Sequence, residues 1–123
     1  NTTTMALKGQ SVSLSHDGDQ IAIGSTDTAT GARVIVYSWN GTGWTQKGVI
    51  ITISWWDLST IDYKWCEMSG DGNNVFMYNG ALGEAEIHTY SDTAWSQTAD
   101  LSGNVGTYSG TTGSSVFINS SSS

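Results

Sequence analysis

The chain repeats one stretch of its own sequence. Residues 11–23 (SVSLSHDGDQIAI) return as residues 65–77 (WCEMSGDGNNVFM) and, in part, as residues 108–118 (YSGTTGSSVFI). A second motif at residues 37–46 (YSWNGTGWTQ) recurs at residues 90–97 (YSDTAWSQ), and this alignment matches Tyr37 with Tyr90. A period of roughly 40–55 residues that holds several strands is typical of stacked β-arrays such as propellers, and it constrains the fold more than any other feature of the sequence.

Each full repeat carries the signals of antiparallel strands. The pairs Asp17-Gly18 and Asp71-Gly72 stand between short alternating runs and predict tight hairpin turns, because both central residues of such a turn have positive φ. The strands that follow these turns are apolar on both faces, which is typical of strands covered on both sides. We predict third strands at 32–39 and 84–90, and fourth strands at 44–51 and 95–99.

Four antiparallel strands in each repeat make one blade-like sheet. The sequence therefore predicts an all-β fold of about two and a half such sheets, arranged either like a propeller or as an open stack, since a closed ring typically has four or more blades. The chain is expected to be a single β-repeat domain, 1–123. Its predicted parts are blade 1 at 8–51, blade 2 at 62–101, a partial blade 3 at 104–118 and a disordered serine tail at 119–123.

The first repeat resembles a known blade sequence. Its hairpin SVSLSHDGDQIAIGS and its later strands ARVIVYSWNGTGWTQKG resemble the FG-GAP-like/WD-like β-propeller repeat family. The second repeat keeps Asp71-Gly72, Tyr90, Trp95 and Gln97. The resemblance implies a propeller-type blade from a large secreted or surface protein. It implies nothing specific about activity, because propellers support many functions.

Composition excludes some classes of partner. Charged residues make up 12% of the chain, the net charge is −7, and only four residues are basic. A nucleic-acid interface needs clustered Lys and Arg, so none is expected. No apolar run is long enough to span a bilayer, so no membrane insertion is expected. A polar but nearly uncharged surface favours an extracellular or cell-surface location. Cys66, the single cysteine, cannot form an internal disulfide and is predicted to be a buried small side chain at the strand position of Val12.

No residue pattern indicates catalysis or a cofactor. His16 and His88 have no partner in sequence that would complete a catalytic group. Glu84 and Glu86 share one face of a strand, and we interpret them as charges that keep a sheet edge unpaired. The loop after the second strand of the first repeat carries a single carboxylate, Asp27, whereas calcium takes six or more oxygens. We therefore expect no enzyme, no catalytic residue, no metal and no cofactor.

Six tryptophans are the other notable feature. Trp39, Trp44 and Trp95 recur with the repeat and are predicted to fill gaps between sheets. Trp55 and Trp56 lie outside the repeat and are the candidates for a sugar-binding platform or a subunit interface, where tryptophan is a frequent anchor.

Three N-glycosylation sequons begin at Asn1, Asn40 and Asn119. Asn40 is the strongest candidate, because it is predicted to lie at the tip of a hairpin.

The unfinished third repeat points to self-association. A sheet that lacks its outer strands leaves an open edge, which can pair with another chain. A spare N-terminal strand of one subunit could complete the last sheet of the next, and a head-to-tail contact of this kind builds a filament when it does not close. The first hypothesis is a non-enzymatic extracellular structural subunit of a self-assembling fibre or appendage. The alternative is a glycan- or protein-binding module of a larger surface β-propeller protein.

Overall fold

The computed structural model describes residues 11–27, 31–52, 66–79 and 84–101 of the chain. These residues form antiparallel strands in two sheets, and no helix occurs among them. Sheet 1 contains β1 (Ser11–Leu14), β2 (Gln20–Asp27), β3 (Gly31–Trp39), β4 (Trp44–Gln46) and β5 (Ile51–Thr52). Sheet 2 contains β6 (Cys66–Met68), β7 (Asn74–Asn79), β8 (Glu84–Ser91) and β9 (Ala94–Asp100).

Both sheets have the same meander topology. The strand order is β1-β2-β3-β4 in sheet 1, with β5 added against β3, and β6-β7-β8-β9 in sheet 2. The predicted all-β fold of four-stranded antiparallel sheets is thereby confirmed. The fourth strand of the first repeat, predicted at 44–51, is divided into β4 and β5. The propeller-like arrangement and the domain boundaries stay predictions, and 104–118 and 119–123 lie outside the described residues.

The Asp-Gly loops are wider than predicted. Ser15 donates its backbone N–H to the Gln20 carbonyl at 3.0 Å, which leaves four residues in the first loop. Only Gly18 in that loop has positive φ, at 74°, so the prediction of two positive-φ residues was wrong. The reason lies in Ser15, whose hydroxyl donates to Asp19 at 3.0 Å and accepts the Gln20 N–H at 3.1 Å. Those bonds stabilise a four-residue loop instead of a two-residue turn.

The second repeat forms the same loop. Ser69 donates its N–H to the Asn74 carbonyl at 2.9 Å, and its hydroxyl accepts the Asn74 N–H at 3.1 Å. Gly72 has a φ of 74°, as Gly18 does. The two-residue turn occurs elsewhere, at Asp92 and Thr93, whose φ values are 51° and 73°. Both values fit a type I′ turn, whose twist matches that of the flanking strands, although neither residue is glycine.

Sheet register gives the structural equivalence of the two repeats. Trp39 pairs with Trp44 in sheet 1, and Tyr90 pairs with Trp95 in sheet 2. Trp39 donates its N–H to the Asp19 carbonyl at 2.7 Å, and Tyr90 donates to the Asn73 carbonyl at 2.8 Å. Trp39 therefore corresponds to Tyr90. The sequence alignment of Tyr37 with Tyr90 was wrong by two positions. Because side chains alternate along a strand, a shift of two positions leaves the aligned residue on the same face of the sheet.

The core lies between the two sheets. Its buried members are Ala22, Val34, Val36, Ile51, Cys66, Met68, Val75, Met77 and Trp95, with Tyr90 packed against them. Cys66 is fully buried, as predicted. Leu14 pairs with Ile21 as Met68 pairs with Val75, so the strand positions correspond. Their environments do not correspond, because β1 buries its serines and exposes its apolar side chains.

Candidate functional site

The contact between the sheets begins with two serine hydroxyls on β1. Ser11 Oγ accepts the backbone N–H of Cys66 at 3.1 Å, and Ser13 Oγ accepts that of Met68 at 2.9 Å. Beyond the strand, His16 donates its N–H to the Gly70 carbonyl at 2.8 Å. Residues of sheet 1 thus provide hydrogen-bond partners for backbone groups of β6 and of the loop that follows it. The two sheets are therefore joined by hydrogen bonds as well as by apolar packing.

Lys47 follows β4 and lies at the other side of the contact. Its Nζ donates to the Gly72 carbonyl at 2.9 Å and to Asn73 Oδ1 at 2.8 Å, and it also donates to Gln20 Oε1. The ammonium lies 4.6 Å from the ring centre of Tyr90, which gives a cation–π contact. Burial lowers the pKa of Lys47, and the charges of Asp71 and Asp19 oppose that effect.

Trp95 covers the backbone beside Lys47. Its indole N–H donates to the Lys47 carbonyl at 2.8 Å, and its ring packs against Tyr90 with centroids 5.2 Å apart. Gly48 lies directly under this ring. A Cβ at Gly48 would be only 2.7 Å from Trp95 Cδ1, so a glycine is needed for the close approach. The aromatic pair of sheet 2 therefore closes over the Lys47-Gly48 segment of sheet 1.

Sheet 1 carries the equivalent aromatic and aliphatic side chains on its opposite face. Register places Val12, Leu14, Ile21, Tyr37, Trp39 and Trp44 together there, and we name this set the outer patch. Within it, Val12 and Leu14 are 49% and 57% exposed, and Trp39 and Trp44 are 43% and 47% exposed. Ile21 and Tyr37 are half-buried. Neighbouring large exposed apolar side chains of this kind mark interaction surfaces.

The tryptophans predicted to fill gaps between sheets divide into two groups. Trp95 is buried in the contact between the sheets, so the prediction holds for it. The prediction was wrong for Trp39 and Trp44, whose rings contact each other at an interplanar angle of 58° with centroids 5.4 Å apart and remain substantially exposed. The physical reason is their face of the sheet, because sheet 2 packs against the other face of sheet 1.

Asn40 lies in the exposed loop between β3 and β4, as predicted. Its Oδ1 accepts the N–H groups of Thr42 and Gly43, each at 2.9 Å, and the Thr42 hydroxyl at 3.0 Å. The carboxamide oxygen thus organises the loop while the residue remains exposed. Asn40 and Thr42, the two polar residues of the sequon, are both exposed at the end of the hairpin.

Of the candidate acidic and histidine residues, Glu86 and His88 are buried, whereas Glu84 is half-buried. Glu86 Oε1 is 2.7 Å from His88 Nε2, and both side chains are buried on the face of sheet 2 that meets sheet 1. The interpretation of Glu84 and Glu86 as edge charges was wrong, because β8 lies between β7 and β9. His16 is exposed on its loop.

Trp55, Trp56, Asn1 and Asn119 lie outside the described residues. Sequence reasoning missed the outer patch and the role of Lys47 and Gly48. The repeat gave no signal for the exposure of the outer patch, because Val12 and Leu14 align with Cys66 and Met68, which are buried.

Among the described residues, no cluster of three or more His, Cys, Asp or Glu could hold a metal ion. A helix of the length and apolarity needed to cross a membrane is likewise absent from this part of the chain. Comparison with family models, curated proteins and solved structures found no match.

Proposed function

We propose that the chain is a non-enzymatic extracellular structural protein, a subunit that self-associates through β-edges into a fibre or surface appendage. The observation that carries the proposal is the outer edge of sheet 2. Strand β9 has seven residues, pairs with β8 on one side and pairs with no other described strand. Ser96, Gln97 and Thr98 in its middle are exposed.

This edge has few of the features that prevent strand pairing. Natural edges are commonly protected by Pro, Lys or strong bulges. The chain has no proline, and β9 contains no basic residue. The register shift opposite Ile87 and His88 leaves one extra residue, Thr98, in β9 itself, whereas residues 94–97 stay in regular register. Residues 94–97 can therefore accept a strand from a second chain.

The low charge of the chain supports an extracellular location, and its repeat resembles blades of FG-GAP-like/WD-like surface propellers. The non-enzymatic assignment is supported by the position of the acid–base pair that the described residues contain, Glu86 and His88. Glu86 and His88 are buried between the sheets, where a substrate has no access. The blade-like sheets would form a propeller-like or openly stacked array, with self-association as the main interaction.

Light scattering and electron microscopy of the purified chain test the proposal. We expect particles larger than one chain, and filaments or rings in images. Gln97→Lys adds a charge at the open edge and should reduce their mass. His16→Lys adds the same charge at an exposed loop and should leave them unchanged. A folded monomer at all concentrations would refute self-association, and assemblies unaffected by Gln97→Lys would refute the edge mechanism.

Glycan or protein binding is the second candidate, and the exposed Trp39–Trp44 pair favours it. Aromatic rings beside an accessible polar loop can stack on sugar faces. A glycan array probed with the wild type, with Trp44→Ala and with a Trp55→Ala/Trp56→Ala variant separates the possible platforms. Binding that is lost in one variant identifies the platform, and an array without a specific signal removes the glycan-binding candidate.

A further inference from the structure

The two sheets use corresponding faces in different ways. In sheet 2, the face with Cys66, Met68, Val75 and Met77 is buried against sheet 1. Register assigns the corresponding positions of sheet 1 to Val12, Leu14, Ile21 and Ile23, on the face with the outer patch. The same face of the repeat is therefore a sheet-packing surface in one case and a substantially exposed surface in the other.

The aromatic pairs follow the same rule. Tyr90 and Trp95 close over Lys47 and Gly48 of the preceding repeat, whereas their counterparts Trp39 and Trp44 cover no described segment. The exposed version of the face is also the more apolar. Tyr37 stands where sheet 2 has His88, and Ile35 stands where it has Glu86. Sheet 2 buries the more polar version of this face against another sheet. The more apolar version on sheet 1 is therefore well suited to the same kind of packing.

We propose that the outer patch of sheet 1 docks a second copy of this chain, with sheet packed face to face on sheet. The inference rests on the proposed self-association and adds a second contact to the edge pairing proposed for β9. The occupant is indicated by the interface inside each chain, where a sheet of the same repeat covers the corresponding face. Trp39 and Trp44 are the anchors of the contact, as Tyr90 and Trp95 are within the chain.

The contact is head to tail. Within each copy, sheet 2 already covers the face of sheet 1 that carries Val34 and Val36. In that contact, the face of sheet 2 that corresponds to the outer patch packs on the opposite kind of sheet face. A second copy that repeats this packing offers a face of that opposite kind and not its own outer patch, which makes the interface heterologous. Repetition of such a contact adds one chain at a time to a continuous stack of sheets.

Sedimentation velocity of the 123-residue chain from about 1 to 200 μM tests the proposal, because docking of copies depends on concentration. Leu14→Asp places a charge in the outer patch and should weaken association by about tenfold or more. Val49→Asp is the matched control, since Val49 is 70% exposed but lies in the loop after β4. Trp44→Gln is a second variant in case Leu14→Asp fails to fold, and circular dichroism checks the fold of each.

The outcomes separate this inference from the proposed function. Association that is lost in Leu14→Asp and kept in Val49→Asp supports docking at the outer patch. Association that is unchanged in Leu14→Asp and Trp44→Gln overturns docking there but leaves edge pairing in place. A wild type that stays monomeric overturns both. Oxidation of a Leu14→Cys variant tests the geometry: an efficient covalent dimer would place two outer patches against each other and overturn the head-to-tail contact.

Discussion

Replacing Gly48 tests how closely the two sheets approach. Gly48 and Gly18 both have a φ of 74°, so alanine at either position pays the same backbone cost. A left-handed conformation costs a non-glycine residue about 1–2 kcal/mol, and the smaller unfolded-state entropy of alanine returns about 0.4–1 kcal/mol. Gly18→Ala, whose Cβ meets no atom within 4 Å, should therefore lose about 1 kcal/mol.

Gly48→Ala adds a steric cost. Its Cβ would lie 2.7 Å from Cδ1 and 3.0 Å from Nε1 of Trp95, and 3.2 Å from Cε1 of Tyr90. Both rings are packed, and Trp95 is also held by its bond to the Lys47 carbonyl. Overpacking of this kind costs about 1–3 kcal/mol, so the total loss should be about 2–4 kcal/mol.

Urea unfolding followed by far-ultraviolet circular dichroism measures both losses. The informative quantity is the difference in lost unfolding free energy between Gly48→Ala and Gly18→Ala, because the backbone cost is common to both variants and cancels. A difference near zero would refute the packing of Trp95 over Gly48. A larger loss for Gly18→Ala would refute the assignment of the interface to Lys47 and Gly48.

Three further predictions concern single side chains. Trp95→Phe should lower the free energy of unfolding by about 1–3 kcal/mol, because the partly buried Lys47 carbonyl loses its donor. Trp44→Phe at the exposed equivalent position should change it by less than about 0.5 kcal/mol in the monomer. Equal effects in urea unfolding would contradict the difference in burial between Trp95 and Trp44. Burial alone would raise the pKa of Asp71, but bonds from the Ser69 hydroxyl and the Asn73 N–H, together with the Lys47 charge, lower it below its ordinary 3.8. The unfolded chain then binds more protons in acid, so this stabilisation is present above the ordinary pKa and is lost as the pH falls through the folded pKa. Asp71→Asn should flatten the loss of stability below about pH 5 relative to the wild type. Parallel acid curves for the two proteins would contradict this. Secretion from a eukaryotic host should attach an N-glycan at Asn40 that is absent from Thr42→Ala, and peptide mass spectrometry that finds Asn40 unmodified would contradict its accessibility.

The strands were predictable from the sequence because their signals are local. Alternation and turn residues placed the third strand of the first repeat at 32–39, and β3 is observed at Gly31–Trp39. Loop width was less predictable. The Asp17-Gly18 pair indicates a hairpin, but the hydrogen bonds of Ser15 decide its length, and the Asp92-Thr93 turn forms without the glycine that usually marks such turns.

The faces of the sheets were not predictable from alternation alone. Val12 and Leu14 alternate with serines, and the usual reading buries the apolar set. In sheet 1 the serines are buried because their hydroxyls bond the backbone of β6, which is separated from them by 55 residues. No local pattern specifies that partner. The outer patch became recognisable only when register aligned it with the buried face of sheet 2.

The serine hydroxyls that bond β6 also bear on how the chain is made. Synthesis proceeds from the N-terminus, and N-terminal units generally fold first. The described strands of sheet 1 end at Thr52, whereas β6 begins at Cys66. Ser11 and Ser13 are therefore in place when β6 emerges from the ribosome, and its backbone N–H groups meet acceptors of their own chain before they meet another nascent chain. A circular permutant that moves β1 behind β9 would reverse this order and leave β6 exposed during synthesis.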